Sequence, residues 1–125
     1  MSPISTIDTM HENLKKGDII LSPLSYTDLV TEEVRPSLVL YHDLKDMQLV
    51  IAYITSQTEG EVGPFERLIL KGSATFDKSG LTFSSKLRVN WVMTVKRIHV
   101  YRKIGEADED LRAWVNQMVP TCLAI

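Results

Sequence analysis

Six short apolar runs, each broken before it reaches helix length, set what this chain can fold into. They are Ile19 to Leu24, Ser37 to Tyr41, Leu49 to Thr55, Phe65 to Leu70, Ser85 to Met93 and Ile98 to Ile104. Runs this short, rich in β-branched side chains, read as strands. The breaks carry turn chemistry: Pro23 and the polar stretch 25–33, His42 to Asp46, Gly60 with Gly63-Pro64, and Gly72 through Gly80. The last turn is expected at 94–97. One segment departs from this pattern. Leu111, Trp114, Val115, Met118 and Val119 fall on a helical stripe, with Asp108, Glu109 and Asp110 at its start. This predicts a C-terminal helix over 107–119, stopped by Pro120. A shorter N-terminal helix over 5–15 is expected, capped by Ser5 or Thr6 and ended by Gly17. The fold class is therefore mainly β with a C-terminal helix: a small, strongly bent sheet or barrel with the helix packed on it.

A chain of 125 residues is one domain by length. It buries roughly two-thirds of its unfolded surface, enough to fold without a disulfide or metal. Cys122 is the only cysteine, so no internal disulfide forms. No apolar run approaches membrane-spanning length, and the N-terminus lacks the basic-then-apolar order of a signal peptide. A cytoplasmic location is expected. The formal net charge is −2, which argues against a general nucleic-acid coater. Its distribution is uneven: residues 1–61 sum to −6, 62–103 to +7, and 104–125 to −3. The middle third either presents a basic face to a phosphate backbone or an acidic partner, or scatters its charges as a solvated surface.

His11, His42 and His99 lie far apart and share no metal-ligand spacing, so no metal or cofactor is expected. Residues 72–79 resemble a phosphate loop only faintly, lacking the glycine before Lys78. Three short pieces carry more chemistry. Arg35-Pro36 is either a solvated loop residue before a strand-opening proline, or an arginine whose planar fork is pinned at a strand mouth. Thr55-Ser56 either satisfies a turn, or offers a hydroxyl to a phosphate oxygen. In Arg88-Val89-Asn90, Arg88 and Asn90 are expected to share one strand face.

These pieces stand in an order that is informative as a set: Gly17-Asp18-Ile19-Ile20, Val34 to Leu40, Ile54-Thr55-Ser56, Leu87 to Asn90, and Arg102 to Gly105. In that order and spacing the chain resembles the MazF/PemK/Kid toxins of type II toxin–antitoxin systems, closest to the PemK-like branch, over roughly residues 17–119. The resemblance implies an SH3-like small barrel of the MazF/Kid/CcdB kind over 17–105, normally a homodimer. It implies cleavage of single-stranded RNA without a metal: the ribose 2′-OH attacks the adjacent phosphate, leaving 2′,3′-cyclic phosphate and 5′-OH ends.

Under that resemblance Arg35, Thr55 and Arg88 stabilise the developing charge, usually the largest single contribution. Several PemK- and Kid-like members carry an aspartate where this chain has Asn90, and an amide is no general base. Glu32, Glu33 or Asp28, in the stretch before Arg35, then replace it. Ser56, Asn90, Tyr26 and Asp28 are the candidate substrate-binding residues, with Tyr26, Phe65 and Phe76 as aromatics for stacking. The implied partners are single-stranded RNA and a small antitoxin with a disordered acidic tail. The alternative is a catalytically silent homologue that binds RNA or protein, or a toxin that poisons a protein target such as gyrase.

Overall fold

The computed structural model describes residues 14–24 and 33–125. Most of the expected N-terminal helix lies outside the described residues, and Leu14 and Lys15 are not helical. The chain runs β1 (Asp18–Leu24), β2 (Glu33–Asp43), β3 (Gln48–Thr55), β4 (Glu66–Ile69), α1 (Ala74–Ser79), β5 (Ser85–Lys96) and β6 (Arg102–Glu106). It closes with α2 (Glu109–Leu123). The strands form one sheet in the order β4-β5-β3-β2-β1-β6, every neighbouring pair antiparallel.

The sheet curls because its ladders slip. Registers shift at Ile19/Ile20, Val39/Tyr41 and Ala52/Tyr53. Each extra residue bends its strand and raises the local twist, so six strands roll into an open half-barrel. Both faces carry a core. On one, Ile19, Leu38, Ile54 and Leu87 pack with Phe76 of α1 and with Leu111 and Val115 of α2. On the other, Ile20, Val39, Ile51 and Tyr53 pack with Leu14 and Val100. Burial on two faces explains why Leu49 to Ile54 reads as a nearly continuous apolar run rather than an alternation. Leu111 is fully buried, and such a side chain contributes about 1.5–3 kcal/mol by leaving water.

Three expectations need correction. The segment 71–80 contains a helix: Ser73 Oγ accepts the Phe76 amide at 3.1 Å, and Gly80 ends the turn at φ +74°. A β-carbon at Gly80 would lie 1.9 Å from the Ile104 carbonyl, so the glycine lets α1 close onto β6. The strand expected from Ile98 begins only at Arg102. Strand β5 continues to Lys96, and Arg97–His99 form a 3-10 turn that redirects the chain, with Ile98 76% exposed. The Arg97 amide donates to Met47 O and the Tyr101 amide to Leu21 O, which pins both ends of that turn.

Pro120 does not stop α2, which runs on to Leu123. Proline forfeits its own amide bond, but its carbonyl still accepts the Ala124 amide at 2.9 Å. At the other end Asp108 caps the helix, its Oδ1 accepting the Leu111 amide at 2.9 Å. Burial pushes the Asp108 carboxyl up. The Leu111 amide, the Thr75 hydroxyl and the charges of Arg67 and Lys78 outweigh it and hold the group below its usual range.

Candidate active site

The register of β3 and β5 aligns three of the candidate residues. Ser37 pairs with Tyr53, and Tyr53 with Arg88. The β2–β3 ladder ends at that Ser37–Tyr53 pair, leaving Arg35 two residues beyond it, while Thr55 pairs with Lys86. Side chains two apart point the same way, so Thr55, Lys86 and Arg88 share one face of β3 and β5. A hollow of about 240 Å³ opens there, lined by Thr55, Gln57, Glu59, Glu66, Lys86, Arg88 and Trp91. Arg35 lines a different hollow, and donates from Nη2 to Glu33 Oε2, with 35% of its side chain still in solvent.

Glu66 organises the cations of this hollow. Its Oε1 accepts the Gly63 amide at 2.8 Å and lies 3.9 Å from Lys86 Nζ. Its Oε2 lies 2.7 Å from Arg88 Nε, an ion-pair contact without good hydrogen-bond alignment. The Gly63 hydrogen bond, against the effect of burial and with help from Lys86 and Arg88, holds the Glu66 carboxyl below its ordinary 4.5. The Arg88 guanidinium also sits 3.8 Å over the Trp91 ring, which stacks on Tyr53 with centroids 5.9 Å apart.

Arg88 and Asn90 do not share a hollow. Ala52 pairs with Val92 and Tyr53 with Arg88, so Val89, Asn90 and Trp91 bulge out of the β3 ladder. Leu87 and Val89 pack in the same core, so Arg88 and Asn90 keep one strand face, but each lines a different hollow. Asn90 is exposed and lines a separate hollow with Tyr53, Trp91 and Met93, and Trp91 is the wall between the two. Ser56 is also parted from Thr55. It lines a hollow of about 320 Å³ together with Arg35, Phe83 and Arg102. Tyr26, Asp28 and Glu32 lie outside the described residues. Phe76 is core, and Phe65 packs against the same core, so neither offers a stacking face.

Sequence reasoning missed Glu66, Lys86, Phe83 and Arg102. Lys86 was within reach, because it stands two residues before Arg88 on an alternating strand. Glu66 was not, because only the pairing of Glu66 with Arg88 across β4 and β5 brings it there. The basic middle third is not one free face. Arg67 pairs with Asp110, Lys86 and Arg88 with Glu66, and Lys103 with Asp18. Arg97 is buried beside His42, with Nη1 3.3 Å from Nε2.

A curled antiparallel half-barrel of six strands with a C-terminal helix is the fold of the MazF-like toxins. The family model of the PemK-like, MazF-like toxins of type II toxin–antitoxin systems matches residues 15–123, and the chain belongs to that family. Its fold is shared with solved structures of low sequence identity. A mycobacterial endoribonuclease in complex with its cognate antitoxin superposes with a TM-score of 0.67 at 14% identity, covering 90% of this chain and 96% of that one. MazF from Deinococcus radiodurans superposes with a TM-score of 0.65 at 18% identity, covering 90% and 97%. A MazF toxin of Mycobacterium tuberculosis gives 0.64 at 16%, covering 86% and 97%. No functionally curated protein matches the sequence. Among the described residues, no helix is long and apolar enough to cross a membrane.

Proposed function

We propose that this protein is the toxin of a type II pair and acts as a cytoplasmic endoribonuclease that cleaves single-stranded RNA without a metal. The observation that carries this reading is the shared face of Thr55, Lys86 and Arg88, with Arg35 in the hollow that takes in Ser56, in a chain of this family. The Arg35 fork holds two non-bridging oxygens of the scissile phosphate, and the Thr55 hydroxyl donates a further hydrogen bond. Arg88 and Lys86 answer the charge that builds as the 2′-oxygen bonds to phosphorus.

A carboxylate takes the 2′-OH proton, the O2′–P bond forms, the P–O5′ bond breaks, and a proton goes to O5′. Lys86 can supply that last proton, because an ammonium titrates where a guanidinium does not. Glu66 is a poor base: its oxygens are engaged by Gly63, Lys86 and Arg88, and its carboxyl is held acidic. Glu33, released from its pair with Arg35 when phosphate takes the guanidinium, serves as the base, with Glu32, Asp28 and Glu59, which lines the hollow beside Thr55, as its competitors. The active species is a homodimer, silenced when an antitoxin lays an acidic tail over the cations.

The test is purified protein with a long single-stranded RNA in EDTA, beside Arg35→Ala. Fragments with 2′,3′-cyclic phosphate and 5′-OH ends, lost in the variant, are the expected result. Intact RNA from a folded, antitoxin-free dimer refutes it. Growth arrest that survives Arg35→Ala favours a protein target instead.

A further inference from the structure

The second hollow at the strand mouths lies on the side of β3's end away from Thr55, and apart from Arg35 the mechanism above leaves it unused. Its cations are Arg35 and Arg102. Arg102 on β6 pairs with Leu21 on β1, which pairs in turn with Pro36 on β2, so Arg102 stands one strand beyond the Arg35-Pro36 step. Unlike Arg35, Arg102 has no ion pair among the described residues. Ser56 adds a hydroxyl without a hydrogen-bond partner among them.

The wall opposite is Phe83, 67% exposed. It stands on a segment held at both ends. The Leu81 amide donates to Ser79 Oγ at 3.1 Å, the Lys71 amide to Ser84 Oγ at 2.8 Å, and Ser85 Oγ to the Phe83 carbonyl at 2.7 Å. A large apolar ring held in water by a pinned backbone, lining one hollow with a guanidinium that has no ion pair among the described residues, has the makings of a stacking platform beside a phosphate clamp.

We infer that this hollow is a second RNA subsite. It takes the nucleotide next to the scissile one, with its base stacked on Phe83 and its phosphate on Arg102. The inference rests on the endoribonuclease reading. Thr55 and Ser56 are consecutive, so a strand held at Thr55 crosses the tip of β3 directly into the hollow. Arg35, assigned above to the scissile phosphate, itself lines this hollow. A free phosphate-bearing metabolite would use Arg102 but gain nothing from reaching across to Thr55.

The experiment measures binding of a mixed-sequence, fully 2′-O-methylated single-stranded RNA by anisotropy at several salt concentrations. The proteins are the wild type, Phe83→Ala, Arg102→Ala and, as control, Leu44→Ala in the β2–β3 turn at the far end of β3. Methylation blocks 2′-oxygen attack, so binding is read without cleavage. Cleavage of unmodified RNA by the wild type is scored in parallel, and thermal melting verifies folding.

Phe83→Ala is expected to bind about tenfold more weakly, the scale of one lost base–aromatic stack. Arg102→Ala is expected to weaken binding and to flatten the slope of log K against log salt by about 0.7, one single-strand phosphate. Leu44→Ala should match the wild type. If the wild type cleaves and binds RNA while folded Phe83→Ala and Arg102→Ala bind like it, the subsite is refuted and the enzyme reading stands. If the wild type neither cleaves nor binds, both fall. If the two variants keep RNA binding but lose an acidic antitoxin-tail peptide, the hollow belongs to that peptide and the RNA assignment is overturned.

Discussion

Replacing Glu66 with Gln isolates what one carboxylate does for the cationic hollow. The amide keeps the side chain's shape, and its oxygen can still accept the Gly63 amide that Glu66 Oε1 accepts at 2.8 Å. What it loses is the charge facing Arg88 at 2.7 Å and Lys86 at 3.9 Å. The contact is an ion pair rather than an aligned hydrogen bond, and losing a partly exposed pair of this kind costs about 1 kcal/mol at Arg88 alone. The two cations then face each other with only 8% of Lys86 and 25% of Arg88 exposed to screen them. Breaking a fully buried pair costs about 3–5 kcal/mol, and partial exposure here leaves a fraction of that.

The sum is a destabilisation of about 2 kcal/mol at neutral pH. With a urea slope of about 1–3 kcal/mol/M, the unfolding midpoint falls by roughly 1 M. The sign with pH follows from the depressed carboxyl. Its stabilising contribution is complete above the ordinary 4.5 and is lost as pH falls through the lower folded value. The gap between wild type and Glu66→Gln must therefore close in acid, where the native carboxyl is itself neutral. Urea denaturation followed by far-UV circular dichroism at neutral pH and below pH 4.5 measures both arms. A neutral-pH difference within about 0.5 kcal/mol, the ordinary spread of surface substitutions, would show that the cluster is held by something other than charge.

Three further outcomes are expected. Gly80→Ala should lower the melting temperature by several degrees, because the new methyl enters a φ of +74° and meets the Ile104 carbonyl; an unchanged melt would contradict the α1–β6 packing. Leu111→Ala, at a fully buried site joining α2 to the sheet, should cost about 2–5 kcal/mol in chemical denaturation. Asn90→Asp should not raise the cleavage rate, since Trp91 separates that side chain from Arg88; a tenfold gain in a single-turnover assay would place the two groups together after all.

The strands and the terminal helix were legible because their signals are local: runs of β-branched residues, and a helical stripe preceded by three acids. Helix α1 was legible in principle. Ser73 and Gly80 are its cap and its left-handed stop, but six residues gave no apolar stripe to detect. The 3-10 turn at Arg97–His99 was hidden because Ile98, Val100, Arg102 and Ile104 alternate like a strand while the chain turns. In the site, Arg35 and Thr55 stood out through their neighbours and their family pattern. Glu66 and Arg102 did not, because each is brought in by a strand pairing between segments far apart in sequence. Arg88 and Asn90 share a strand face as expected but not a hollow, because the ladder skips from Arg88 to Val92 and Trp91 stands between them.

That skip also bears on how such a protein diverges. Val89, Asn90 and Trp91 have no β3 partners, while Arg88 on one side and Val92 on the other stay locked to Tyr53 and Ala52. A substitution at Asn90 therefore changes an outward-facing side chain without disturbing any rung of the ladder. Descendants of one ancestral chain can try new residues there at small thermodynamic risk, while the guanidinium next door keeps its address. The bulge separates what a lineage is free to vary from what it must keep, within three consecutive codons.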